Sequence, residues 1–380
     1  MSDITLVTGA SGLVGACLVR ALLAQGRAVR ALVHRDRRAL EGLDVELFPA
    51  DIRDPETLVR AMTGVDVVYH LAGAISLSID AGPALRAVNV LGTRNVVGAC
   101  LESGVRRLVH FSSVDALRQE PLDRPLDEDR PLVDEGLSAA DLEALAPYDL
   151  SKALGEREVC AGIARGLDAV IVSPTAMLGP YDFKPSFVGQ ALIQLASGRI
   201  PALVTGGFDW VDVRDVVSGV LRAEEVAPPG SRYLLSGHWH SVREVAELVA
   251  TVTGRPAPLV TVPLELADAF APLMPLLAHF DNKLPLYTGF TLGVLRHNRQ
   301  VSHARAAREL GYAPRPLAES VRDTLAWFED ELLTRSERMA RIAEIEKRAK
   351  DDGYKARLGA FPVPTDCVPL RFSRLSAEKV

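Results

Sequence analysis

The sequence predicts an α/β fold, a doubly wound parallel sheet with a smaller C-terminal substrate lobe. Three observations carry that expectation. Short apolar runs alternate with segments of helical spacing from Ile4 to about Pro174, the pattern of strand–helix–strand units. The first run, Ile4 to Val7, passes through Thr8-Gly9-Ala10-Ser11-Gly12-Leu13-Val14-Gly15 directly into a helical pattern. Later, Tyr148 and Lys152 stand four residues apart, downstream of a Phe111-Ser112-Ser113 strand end.

Each glycine of the first turn has its own task. Gly9 permits the tight turn off the strand, Gly12 lets backbone N–H groups approach a pyrophosphate, and Gly15 allows close helix–sheet packing. The helix, roughly Leu13 to Gln25 with Gly26 as its stop, points its positive dipole end at the phosphates. Flanked by a strand and a helix, the turn reads as a dinucleotide site of Rossmann type.

The second strand, Ala28 to Val33, runs into His34-Arg35-Asp36-Arg37-Arg38. An NAD site places a carboxylate about 20 residues past the glycines, where it accepts from the ribose 2′-hydroxyl. Here the strand ends in Val33, His34 and Arg35, and guanidinium groups suit a 2′-phosphate. NADP(H) is favoured, and Asp36 leaves NAD(H) open.

The alternation continues. Val45 to Phe48 leads to Ala50-Asp51-Ile52-Arg53-Asp54, and a helix starts near Pro55, where proline is tolerated. Val65 to Gly73 reads as a buried strand ending in small residues, Asn89 to Glu102 as a helix, and Arg107 to Phe111 as a strand. Ligands of such sheets sit at the carboxyl ends of the strands. Gly12, Asp51, Ala72 and Ser113 all follow such ends.

Tyr148 and Lys152 share one helix face, and Pro147 fits the helix start. A phenol with a pKa near 10 is a poor acid or base at neutral pH, and a lysine one turn along can stabilise its anion. Ser113 can hold a substrate oxygen. With the glycine turn, these residues point to hydride transfer between a nicotinamide and a carbonyl or alcohol carbon.

The motifs TGASGLVG, ADIRD, HLAG, NVLGT, FSSVDAL, YDLSK, SPTAMLGP and WVDVRDVV occur in order over roughly residues 3 to 330. In this the chain resembles the extended short-chain dehydrogenase/reductases. The strand VRALVHR, the stretch GPYDFKPSFVGQ and the long gap between Ser113 and Tyr148 make it most similar to their dihydroflavonol-reductase-like branch and its hopanoid-associated relatives. The resemblance implies that Ser113, Tyr148 and Lys152 are the catalytic triad and that Asn89 is the asparagine behind the nicotinamide. It implies a cofactor cradle of Gly9, Ser11, Gly12, Leu13, Val14 and Gly15, with His34 and Arg35 at the ribose. Asp51 and Ile52 match adenine contacts. Leu71, Ala72 and Gly73 match ribose and phosphate contacts, and Pro174, Thr175, Ala176 and Met177 the carboxamide region.

Two departures stand out. The branch often has arginine where His34 stands, with Arg35 here one place later. Sugar-nucleotide epimerases commonly carry an asparagine after the central strand, where this chain has Ser173-Pro174-Thr175-Ala176-Met177. The expected activity is therefore reduction of a ketone or aldehyde on a largely apolar substrate, aromatic or polycyclic in type. The alternatives are a sugar-nucleotide epimerase or dehydratase and a non-catalytic NAD(P)-binding sensor or scaffold. Retention of Tyr148, Lys152 and Ser113 counts against the scaffold.

The chain has 380 residues, 48% of them hydrophobic, and a formal net charge of −6. That is enough for one large core with a lobe attached, and the negative balance argues against a nucleic-acid partner. Cys17, Cys100, Cys160 and Cys367 show no CxxC spacing and the histidines no zinc spacing, so no metal is expected. The sequence starts on its first strand without a signal peptide pattern, so a cytoplasmic protein is expected.

Leu264 to Phe280 is the most apolar stretch, but Glu265, Asp268, Pro272 and Pro275 interrupt it, so no membrane span is expected; it reads as a wall of an apolar substrate pocket, with core of the small lobe and attachment to a membrane surface as the alternatives. Residues 1–174 and about 210–240 are assigned to the cofactor domain, 175–209 and 241–333 to the substrate lobe, and 334–380 to a charged helix and tail. The helices Asn89–Glu102 and Tyr148–Arg165 carry Val90, Val96, Val97, Leu150, Leu154 and Val159 and are expected to form a homodimer interface.

Overall fold

A computed structural model describes residues 4–76, 81–138, 142, 145–270 and 289–331. Its centre is a seven-stranded parallel sheet. In chain order the strands are β1 (Ile4–Thr8), β2 (Ala28–Val33), β3 (Glu46–Pro49), β4 (Val65–His70), β5 (Arg107–Phe111), β6 (Ala169–Pro174) and, after an excursion, β10 (Arg232–Leu235). They lie side by side as β10-β6-β5-β4-β1-β2-β3. The strand order reverses between β1 and β4, and a ligand crevice opens at such a switch point.

Both faces of the sheet are covered, which is why its strands are nearly continuous apolar runs. Side chains alternate between two cores: Val7, Val67, Tyr69, Val109, Val170 and Val172 face one, while Leu6, Val68, Leu108, Ala169 and Ile171 face the other. The first core packs against α1 (Leu13–Ala24) and α7 (Val213–Val226). The second packs against α2 (Pro55–Ala61), α4 (Thr93–Ser103) and α5 (Pro147–Ala164). Burying each such Leu or Val contributes about 1.5–3 kcal/mol.

Helix boundaries follow local chemistry. The Asp54 side chain accepts from Thr57 N at the start of α2, with Pro55 in the first turn. α5 begins on Pro147. One expectation changes. The segment read as a regular helix over Asn89–Glu102 starts earlier, at α3 (Gly82–Leu85), and passes through a π-helical stretch, Arg86–Gly92, before α4. At this stretch α5 comes close: a Cβ on Gly155 would lie 2.4 Å from the Asn89 carbonyl oxygen. Only a bare glycine lets that carbonyl in.

The remaining elements build the second lobe. β7 (Ala176–Leu178), β9 (Gly207–Asp212) and β11 (His238–Ser241) form a three-stranded sheet, and β8 (Ala202–Val204) pairs with β12 (Val260–Val262). α6 (Phe187–Ala196) and α8 (Val242–Thr253) pack beside them with the helix over 317–331, through Leu178, Leu192, Trp210, Val245 and Val321. α8 opens with a capping box between Ser241 and Glu244. Then come α9 (Leu264–Phe270), α10 (Gly289–Val294) and α11 (Ala304–Leu310). Leu264 packs with Val204, Leu292 and Leu295 in the lobe core. Residues 271–280 of the expected pocket wall, and the whole of 334–380 with Cys367, lie outside the described residues. Among the described residues, no helix is long and apolar enough to cross a membrane.

Candidate active site

The glycine turn sits at the switch point. Gly9 has φ +67°, and a Cβ there would meet Ala72 N at 2.7 Å and the Leu71 carbonyl carbon at 2.8 Å. Its bareness thus serves the turn and the approach of β4 alike. A Cβ on Gly15 would lie 2.2 Å from the Gly9 carbonyl oxygen, so this glycine packs the first turn of α1 back on the loop itself. Gly12 has only Gly9 O within reach of a Cβ, at 3.5 Å. As N-cap of α1 it offers no side-chain bond, and the first helical turn carries no acid. Leading N–H groups of a helix have no intrahelical partner. The residues present fit a phosphate-bearing cofactor.

Behind the turn runs a buried string of hydrogen bonds. Thr8 Oγ1 accepts from Leu71 N and Ala72 N, both at 3.1 Å, and lies 2.9 Å from His70 Nδ1. His70 Nε2 is 3.0 Å from Thr93 Oγ1, which donates to the Asn89 carbonyl at 2.7 Å. The directions close one way only: His70 carries its proton on Nε2 and accepts from Thr8 on Nδ1. Burial, helped by the Lys152 charge, holds His70 down to about 3, so the ring is neutral. Asn89 continues the string: Oδ1 accepts from Ala74 N at 2.7 Å, and Nδ2 donates to the Ala74 carbonyl and to Ser151 Oγ, both at 2.9 Å. The segment Leu71–Gly73 is thereby fixed against both the glycine turn and α5.

Tyr148, Lys152 and Ser113 converge at the carboxyl ends of β4 and β5. Against burial and Asp115, which raise the Tyr148 phenol, Ser113 is the neighbour whose side chain acts to lower it. Ser113 Oγ donates to Asp115 Oδ2 at 2.9 Å. Lys152 Nζ donates to the Phe111 carbonyl at 2.9 Å and lies 3.9 Å from where a Cβ on Gly73 would stand. Burial lowers the lysine to about 8, against the opposing pull of Glu156 and Asp115. The expectation that Lys152 lowers the phenol pKa meets a different balance here. Burial, and next the Asp115 carboxylate, push the phenol above its ordinary value, while the ammonium is turned to Phe111.

The other expected cofactor residues fall around this centre. Asp51 is bidentate with Arg53, at 3.0 and 2.5 Å, and lies 3.5 Å from His34 Nε2. Chiefly the Arg53 bond holds Asp51 down at about 2. Ile52 is buried against Gly92, and its carbonyl accepts from Asn95 at 3.1 Å. At the end of β2, Asp36 is held by Arg38 at 2.6 Å, while Arg35 and Arg37 are exposed. Ser11 is half-buried in the turn, and Leu13 and Val14 begin α1 against the core. Pro174 ends β6; Ala176 and Met177 begin β7; Thr175 Oγ1 between them donates to Asp209 at 2.7 Å.

Several residues at this centre were not expected from the sequence. Glu156 is fully buried, accepts from Ser112 Oγ at 2.7 Å and pairs with Arg232. Asp115 carries Ser113 and lies 3.4 Å from His297 Nδ1. Asp149 follows Tyr148, and its Oδ1 is buried without a partner. Tyr148 and Lys152 announce themselves by spacing, whereas Asp115 and His297 come from segments with no shared motif. Gly155 did leave a signal: an isolated glycine inside a helical pattern usually has a packing reason.

In the expected dimer helices, Val90, Val96, Val97 and Val159 are buried within the chain. Leu150 and Leu154 are half-buried, Leu91 is exposed, and an Arg94–Glu158 bridge at 2.7 Å joins the two outer faces.

Comparison with known proteins gives consistent matches. The model of the NAD dependent epimerase/dehydratase family matches residues 5–235. Sterol demethylase protein B of Methylococcus capsulatus is 36% identical over 330 residues, 86% of this chain and 98% of its own. A putative dihydroflavonol 4-reductase of Synechocystis is 32% identical, covering 87% and 96%. The crystal structure of gox2253 superposes with a TM-score of 0.74 at 35% identity, covering 86% of this chain and 98% of that one.

Proposed function

The chain belongs to the NAD dependent epimerase/dehydratase family, and we propose that within it this enzyme is an NADP(H)-dependent reductase of ketones or aldehydes on largely apolar, ring-bearing substrates. The observation that carries the chemistry is the convergence of the Tyr148 phenol with Ser113 and Lys152 at the carboxyl ends of β4 and β5. A phenol raised by burial holds its proton at rest and gives it up as negative charge develops on the substrate oxygen. When bound, the nicotinamide supplies the hydride. Tyr148 gives its proton to the carbonyl oxygen, Ser113 orients that oxygen, and Lys152 and the Gly9–Gly15 turn hold the cofactor. Asn89 keeps Ala74 and α5 in register beneath them.

Two features support an apolar substrate. A cavity of about 80 Å³ in the second lobe is walled by Phe187, Leu192, Phe208, Trp210, Val245 and Leu295 among others. Leu295 lies two residues before His297 in the chain, and Trp210 is the register partner of Ala176. Two of the relatives are named for a sterol and a dihydroflavonol, both ring systems. Incubation with 2-tetralone, flavanone and 5α-cholestan-3-one should consume free NADPH in step with alcohol formed. Tightly retained cofactor with no net consumption, and turnover of UDP-sugars instead, would replace this reading with epimerisation. We further propose a homodimer through α4 and α5, which sedimentation at micromolar concentration tests.

The NADP preference rests on the end of β2. Asp36, the carboxylate that would favour NAD, is engaged by Arg38, and Arg35 and Arg37 are exposed with no ion pair among the described residues. Arg35→Asp is expected to weaken NADPH binding by roughly 10- to 100-fold, the worth of a charged bidentate contact, and to leave NADH nearly unchanged. Equal losses for both cofactors, read by fluorescence titration, would move the 2′-phosphate contact elsewhere.

A further inference from the structure

We infer that Ser113, Asp115 and His297 form a proton relay that restores the hydroxyl proton of Tyr148 from solvent after each reduction. This rests on the reductase reading above and adds a path that the Tyr–Ser–Lys set does not contain. Ser113 is the neighbour whose side chain acts favourably on the Tyr148 phenolate; its Oγ is 2.9 Å from Asp115 Oδ2, and Asp115 Oδ1 is 3.4 Å from His297 Nδ1. The His297 side chain is 25% exposed, so the string ends at solvent. Lys152, by contrast, is directed at the Phe111 carbonyl.

His297 is placed by the backbone that follows it. Asn298 is buried, and its side chain donates to the Arg124 carbonyl at 2.7 Å while its N–H donates to Gln119 Oε1 at 3.3 Å. Leu126 N donates to the Gln300 carbonyl at 2.8 Å and Ser302 N to the Leu126 carbonyl at 2.9 Å. These bonds clip the segment after α10 onto the segment after β5, which carries Asp115. Arg296 is turned away to Asp268, and Arg299 lies over Trp239.

The charges facing His297 are Asp115, Asp149 and Glu120. Burial alone would lower the imidazole, but these carboxylates raise it above its ordinary value, Asp115 most of all. Burial alone would likewise raise Asp115, yet bonds from His297 and Ser113 hold it below the usual carboxylate range. Asp149 moves the opposite way, raised by burial and by Asp115.

The step balances without a co-reactant. Tyr148 is left as phenolate when its proton has gone to the substrate oxygen. The Ser113 hydroxyl turns and gives its proton to the phenolate. Asp115 takes the Nδ1 proton of the imidazolium on Oδ1; the carboxyl group then turns and gives that same proton to the Ser113 alkoxide, returning to carboxylate. His297, left neutral with its proton on Nε2, regains one at Nδ1 from a hydronium ion or buffer acid of the solvent. His297 and Asp115 act through Ser113 and do not touch the reacting atoms.

The test separates a first turnover, for which Tyr148 already holds its proton, from later ones. With NADPH and the best ketone of the panel, His297→Gln should keep the wild-type rate in a single turnover. In the steady state it should fall roughly 10- to 100-fold, at or below the lower end of general acid–base effects. The wild-type steady-state rate should decline as pH rises through the His297 titration, and the variant should lose that limb. Imidazole in the buffer should partly restore His297→Ala. Without any substrate, NMR should place the His297 pKa above 6.5 and show it falling by about one unit or more in Asp115→Asn. Equal loss in the first and later turnovers, unchanged steady-state rates, or a His297 pKa indifferent to Asp115 would each overturn the relay. Tyr148→Phe turning over like wild type would instead overturn the reductase reading.

Discussion

Tyr148→Phe is expected to lose roughly 10²–10⁴-fold in turnover, the range that a positioned general acid contributes. The loss should fall on kcat. The phenyl ring remains to fill the same half-buried place on α5, so NADPH affinity should stay within about twofold, since the phosphates are held at the glycine turn. Ser113 and Asp115 should keep their own bond at 2.9 Å in the variant. Rapid-mixing kinetics with NADPH and a ketone, alongside a cofactor titration, checks both halves. A variant that retains most of the wild-type turnover would remove Tyr148 as proton donor. Lys152→Ala should differ in kind, damaging turnover and cofactor affinity together.

Gly155→Ala should damage stability and turnover at once, against the usual sign of this substitution. In a helix interior, glycine to alanine ordinarily gains about 0.5–1 kcal/mol. Here the added Cβ would stand 2.4 Å from the Asn89 carbonyl oxygen and 3.4 Å from its carbon. Those are backbone atoms of the π-helical turn and cannot swing aside. Overpacking of this kind costs about 1–3 kcal/mol, so a net loss is expected, seen as a melting temperature lower by a few degrees. The turn also carries the Asn89 side chain that holds Ala74 and Ser151. A shift of about 1 Å in such a support can cost on the order of 10²-fold in rate. A more thermostable variant with full activity would show that the close approach is not needed.

These two residues mark what the sequence discloses and what it hides. Gly9, Gly12 and Gly15 were legible because strand, turn and helix are contiguous, and each glycine answers a local steric demand. Tyr148 and Lys152 were legible because helix periodicity places them on one face. The parallel sheet followed from apolar runs without polar alternation. The π turn at Asn89 was not legible. Its apolar positions suit a regular helix equally well, and the glycine that lies against it, Gly155, is on another helix. Asp115 and His297 were invisible for a related reason: hydrogen bonds made by Asn298 and Leu126 bring them together across the fold. The basic strand end at His34 and Arg35 was readable as composition, whereas the pairing of Asp36 with Arg38, which sharpens the cofactor preference, required the structure.

The central claim is that hydride passes between a nicotinamide and a carbonyl carbon of an apolar substrate at the Tyr148 centre. NADPH carrying deuterium at the transferable C4 position tests it most directly, with product from the ketone panel read by NMR. The account predicts deuterium on the carbinol carbon of the alcohol, one atom for each NADPH consumed, and none formed by Tyr148→Phe on the wild-type timescale. Alcohol lacking the label, or no ketone reduced while a sugar nucleotide is epimerised without net cofactor consumption, would contradict it.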